Sequence, residues 1–149
     1  MATLKKSFVP VVLLALGGCL QFGSDDEYSG AAVDAGILTF VSQTTGIHFP
    51  HGTEGLEYVY RGSGIDDALY LKVAIPEGKK DEFLKNPIFQ QENDNPKLSN
   101  MTLDKAWWEP SSLKDPLHKD MTINGNEFLG CSVGEAGGQL IAYVHWFDT

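Results

Sequence analysis

Arginine is almost missing from this chain. Arg61 is its one example among 149 residues, and lysine and arginine together give 11 positive side chains against 20 carboxylates. Holding a phosphate backbone needs clustered Lys and Arg, so the composition argues against a nucleic-acid binder. It argues equally against adhesion to anionic lipid headgroups through charge. Cysteine is scarce too. Cys19 and Cys131 are the whole supply, which excludes a disulfide-stapled scaffold. Long apolar runs are also lacking: the stretch from Phe8 to Leu16 falls well short of the ~20 residues that span a bilayer. No internal repeat is visible.

What is present at the start is a leader. Lys5 and Lys6 precede the apolar stretch, and Gly17 and Gly18 follow it. A basic start, a short apolar middle and small residues at the exit read as a secretory signal peptide over 1–18. The exit, Leu16-Gly17-Gly18-Cys19, resembles the lipobox of bacterial lipoproteins. The resemblance implies that the Cys19 thiol is acylated with palmitate-type chains, that the peptide is cut just before it, and that the new amino terminus is acylated as well. Each buried CH₂ contributes ~0.8 kcal/mol, so several chains hold such a protein on its membrane. An ordinary secretion signal with an incidental cysteine is the alternative. Leu20 is not the aspartate that retains many lipoproteins at the inner membrane. The family pattern therefore implies a cell-envelope address, on the outer membrane facing the periplasm in a Gram-negative host.

Cleavage there leaves about 131 residues, enough for one domain with a core and too few for two. It also removes two lysines, so the formal charge becomes about −11. Solubility alone accounts for that charge. A sharper reading is a basic partner, such as a cationic toxin or enzyme. With Cys19 carrying lipid, Cys131 has no partner within the domain. Its strand-like apolar setting predicts a buried, inert thiol rather than a reactive one.

From Leu20 to about Gly30 the composition is Gly, Ser and acid, which reads as a tether over 19–30 before a single domain over 31–149. Val33, Ile37, Leu38 and Val41 have helical spacing, so a helix is expected from Ala31 to Thr45 with Gly46 as its C-cap. Leu56, Tyr58 and Tyr60 alternate along one predicted strand. Leu69, Leu71, Val73 and Ile75 alternate along the next, with a turn-rich link between them. A short helix is expected from Glu77 to Asn86, stopped by Pro87. The stretch from Gln90 to Thr122 reads as a long irregular loop. A second hairpin, Asn126–Val133 with Gln139–Phe147, closes the chain. The expected fold is α+β: a four-stranded antiparallel sheet of two hairpins, with helices on one face. The order Thr45-Gly46-Ile47-His48-Phe49-Pro50, a hairpin, then Ile75-Pro76 before a helix ending Phe83-Leu84 is similar to a pattern in small bacterial lipoproteins of unassigned function. That likeness covers about half of the mature chain and implies a fold, with no activity attached.

Few residues suggest chemistry. Gly130-Cys131-Ser132-Val133-Gly134 matches the G-x-S-x-G pattern of serine hydrolases. That motif works where a strand turns sharply into a helix, and here a glycine-rich turn and another strand follow. His48-Phe49-Pro50-His51 has ligand-like spacing, but Pro50 favours extended backbone, and zinc would need His118 and a carboxylate to complete the set by chance. Glu92-Asn93-Asp94-Asn95 lacks the spaced carboxylates and glycine of a calcium loop. No metal or other cofactor is expected. The pair Trp107-Trp108 is more suggestive. On extended backbone the two rings would point opposite ways, one into the core and one toward a partner. The loop otherwise offers few large residues, which favours the plainer reading that both form a lid over the sheet.

The expected function is a lipid-anchored envelope binding or inhibitor protein without catalysis, in its sharpest form an immunity protein against a toxin or hydrolase. Its partners would be the membrane, through Cys19, and another envelope or secreted protein of basic character. Rival readings are an envelope assembly or stress-related lipoprotein and a small hydrolase using Ser132. The anchor is checked directly: Cys19→Ala should abolish palmitate labelling and move the protein to the soluble fraction. Persistent labelling of that variant would place the acyl chain elsewhere.

Overall fold

The computed structural model describes residues 25–63, 66–92 and 103–149. The leader and Cys19 lie outside these, as do residues 93–102 of the expected long loop.

The chain folds as two three-stranded meanders joined edge to edge. The first holds β1 (Asp25–Ser29), β2 (Glu54–Arg61) and β3 (Ala68–Ile75). The second holds β4 (Lys114–Thr122), β5 (Glu127–Ala136) and β6 (Gln139–Asp148). Strand order is β1-β2-β3-β6-β5-β4, with antiparallel pairing throughout. The junction is the β3–β6 ladder, which runs from Ala68 opposite Phe147 to Ile75 opposite Leu140.

Among the described residues the sheet thus has six strands where four were expected, and both expected hairpins form. β1 lies inside the stretch read as tether. Its sequence, Asp-Asp-Glu-Tyr-Ser, has no apolar alternation to betray a strand. β4 lies inside the stretch read as loop. Pro116 and a register break between Lys114 and Leu117 disguise it, and both are tolerated because β4 is an edge strand.

One face of the sheet carries the helices. Helix α1 runs over Ala35–Thr45. It begins at Asp34 rather than near Ala31, because the Asp34 carboxylate accepts hydrogen bonds from the backbone N–H groups of Gly36 and Ile37 at 2.8 and 3.1 Å. It ends as expected at Gly46, whose φ of 73° is the left-handed conformation a C-cap glycine supplies. Helix α2 is a single turn, Lys80–Phe83, shorter than the expected Glu77–Asn86. Asn86 then serves another purpose. Its buried amide accepts from the His48 N–H at 2.6 Å and donates to the carbonyls of His48 and Phe83, tying the loop after α1 to α2. Val41, Ile47, Phe83 and Ile88 pack here on Leu69, Leu71, Val73, Leu129 and Val144. Cys131 shares this face with Leu129 and Val133, as their common parity predicts. Burial pushes its thiol pKa far up, so the thiolate that would react is suppressed.

Leu56 departs from expectation. A bulge between Gly55 and Glu57 makes it the extra residue of β2, so it packs on the opposite face from Tyr58 and Tyr60.

That opposite face is covered by chain rather than helix. Trp108, 8% exposed, sits edge-on to Tyr70 and Tyr143 at 5.1 and 5.3 Å between ring centroids. Leu103 and Leu113 close the cluster. Trp107 does not point away. The Trp108 N–H bonds the Lys105 carbonyl in a turn, so the backbone is not extended and both rings reach the same cluster, 5.7 Å apart. A salt bridge from Lys105 to Glu27 at 2.6 Å fastens this lid to β1.

The two tryptophans should therefore differ in degree rather than in kind. Trp108→Ala should lower unfolding free energy by ~3–5 kcal/mol, and Trp107→Ala, half-buried at the rim, by roughly half of that or less. Urea titration of the two variants measures both.

Candidate binding surface

The hydrolase-like motif lies wholly within β5, with no strand-to-helix turn. Its glycines have packing reasons. Any side chain at 130 would overlap the His145 ring, which lies across Gly130 from β6. A side chain at 134 would meet the Lys114 carbonyl oxygen at 2.8 Å and the Leu113 Cβ at 2.9 Å. Ser132 is buried, and its Oγ lies 2.6 Å from Nδ1 of His118, its cross-strand neighbour. Burial lowers the His118 pKa, which favours the neutral ring.

A serine beside an imidazole is the first half of a nucleophilic device. Among the described residues no third side chain is hydrogen-bonded to this pair. β5 is paired on both sides, so its amides are committed to the β4 and β6 ladders and cannot serve a developing oxyanion. The pair could not be foreseen from sequence because β4 itself was not recognised. Asp120 follows His118 on the same face, and its carboxyl pKa is raised by burial.

His145 is 4% exposed, and its Nε2 has no hydrogen-bond partner among the described residues. Burial pulls its pKa down to about 4. His48 and His51 are exposed on the loop after α1. Among the described residues no three His, Cys, Asp or Glu side chains converge as metal ligands would. The expected Glu92–Asn95 stretch lies mostly outside the described residues.

Of the sequence-derived site residues, Cys19 also lies outside them. Trp107 and Trp108, the residues expected to meet a partner, pack together in the lid, Trp108 at 8% exposure and Trp107 half-buried.

The exposed aromatic surface lies elsewhere. Among the described residues the large apolar side chains left exposed are Tyr28 at 41% and Phe40 at 43%. Both line a groove of about 420 Å³ between β1, β2 and α1, with Tyr58, Tyr60, Ile37 and Asp26. Tyr28 stacks on Tyr58 at 6.1 Å, and Phe40 meets Tyr60 edge-on at 5.9 Å. The Tyr60 hydroxyl donates to Asp67 at 2.8 Å. Burial, Asp67 and Asp26 together push its pKa up to about 12. Burial first, and then the Asp26 charge, raises Tyr58 as well. Sequence reading missed this groove because its rings come from three separate elements, one of them unrecognised.

A second groove of about 490 Å³ opens at the sheet end near Pro76, among Glu54, Glu77, Glu135 and Lys80. No protein-family model, curated protein or solved structure matches the chain.

His145 makes folding pH-dependent. Its folded pKa lies below the ordinary 6.5, so the unfolded chain takes up a proton that the folded one resists. The stability this contributes is complete above about pH 6.5 and is lost as pH falls toward and through about 4, on the order of 3 kcal/mol in all. Urea unfolding from pH 7 down to about 4 should show wild type losing more stability than His145→Asn, by roughly that difference. Parallel losses in the two proteins would assign the acid sensitivity to the carboxylates.

Proposed function

We propose that this protein is a lipid-anchored, non-catalytic binding or inhibitor protein of the bacterial cell envelope, directed at a basic secreted or envelope protein. An immunity protein guarding the envelope against a toxin or hydrolase is its most specific form. The observation that carries the reading is the charge: about −11 on the segment after the leader, with one arginine, is a surface that attracts cationic partners and repels acidic ones. The lipobox-like Leu16-Gly17-Gly18-Cys19 supplies the address. The buried, ladder-bound setting of Ser132 supports a binder over an enzyme.

The test is capture from envelope and secreted extract on the full-length lipoprotein in detergent, washed at rising salt. A basic partner should be retained at low salt and released as NaCl approaches about 1 M, where the screening length falls to about 3 Å. A partner that stays bound at that salt would instead be held by apolar contact. It would support an assembly or stress-related structural lipoprotein. Recovery of no partner, together with esterase activity lost in Ser132→Ala, would overturn the reading in favour of a hydrolase.

A further inference from the structure

The groove between β1, β2 and α1 is both aromatic and acidic. Four aromatic rings line it, two of them on the surface, and its one ionisable carboxylate is Asp26. No lysine or arginine lines it among the described residues. Arg61, the next residue after Tyr60 on β2, goes to the other face, where its charge acts on Tyr70. Aromatic faces attract cations, and a carboxylate beside them fixes the head group.

The strand beside the groove adds a second feature. β1 is the outermost strand, hydrogen-bonded to β2 alone among the described residues. Asp26 and Tyr28 are two residues apart and stand opposite Tyr60 and Tyr58, so both face the groove. A segment laid along the open edge of β1 would send every second side chain over the same groove. A long basic side chain suits it, with its stem on the rings and its head at Asp26.

We infer that this groove accepts an arginine or lysine side chain from an extended basic segment of a partner protein that pairs along β1. The inference rests on the reading of the protein as a binder of a basic partner, and it names the site. A second copy of the chain is disfavoured as the occupant. Asp25, Asp26 and Glu27 form the edge, and two such edges brought together oppose like charges.

The test uses the full-length lipoprotein in detergent and a fluorescent octapeptide of alternating Arg and Thr, with its Gln-Thr counterpart as control. The Arg peptide should bind about tenfold or more tightly than the Gln peptide, and Asp26→Asn and Phe40→Ala should each weaken it about tenfold. Phe40 is exposed and Asp26 is on an edge, so both variants should keep the wild-type melting temperature, which is measured alongside. Glu77→Gln, in the acidic groove at the sheet end, should leave binding unchanged. Equal affinity for the two peptides, or equal loss in Glu77→Gln and Asp26→Asn, would overturn the site in favour of diffuse charge. A dimer in sedimentation that dissociates in Phe40→Ala would overturn it in favour of a second copy. If the basic partner captured by wild type is retained by Asp26→Asn and Phe40→Ala, the groove is the wrong site while the binder reading stands. If the Arg peptide binds as expected but no basic partner is recovered, the groove stands and the broader reading falls.

Discussion

Everything in this fold hangs on the ladder between β3 and β6. Each three-stranded half alone is a narrow sheet with apolar residues on both faces and little to bury them against. Joined, they place Leu69, Leu71 and Val73 beside Ala142 and Val144 under the helices. The same ladder sets Tyr70, Ala74, Ile141 and Tyr143 side by side on the reverse. The two central strands are therefore buried on both faces, and their side chains must fit two different covers at once. That requirement fixes register firmly, because a slip of one residue would exchange the two sets.

The two covers are built differently. The helical cover is short, and its parts are held by polar pins: Asp34 starts α1, and Asn86 joins the loop around His48 to the turn after α2. The other cover is an irregular segment whose main device is a flat ring. Trp108 touches Tyr70, Tyr143 and His145 edge-on and replaces the helix that a shorter side chain would have required. Gly55, Gly130 and Gly134 are the positions where these covers or their supports come closest to the sheet. Both glycines of the G-x-S-x-G match in β5 are thus required by packing.

How much of this could be read from sequence depended on whether a residue's surroundings were local. Leu69, Leu71, Val73 and Ile75 alternate cleanly, and their strand was legible. The parity of Leu129, Cys131 and Val133 placed the thiol correctly because it needed only one strand. β1 was illegible because the residues it sets on the α1 side of the sheet, Asp26 and Tyr28, do not look apolar. β4 was illegible because Asp115, with φ of 49°, and Pro116 break it near its start. From those two omissions the rest followed. The Ser132–His118 pair needs the β4 register, and the aromatic groove needs β1. Trp107 and Trp108 form the lid that was one of their two readings, because one hydrogen bond to Lys105 turns the backbone and removes the alternation on which the other depends.

The two edges of the sheet are unequal, and that inequality limits what the protein can build. On β4 a proline without an N–H, a left-handed aspartate and a break in register interrupt the row of donors and acceptors. On β1 the row runs unbroken opposite its pairing with β2, and among the described residues it carries Asp25, Asp26 and Glu27, the last tied to Lys105 of the lid. A sheet open at both ends can stack head to tail without limit and form fibres. A sheet interrupted at its other end cannot pass pairing on from copy to copy, so edge pairing between copies of this chain would stop at a pair.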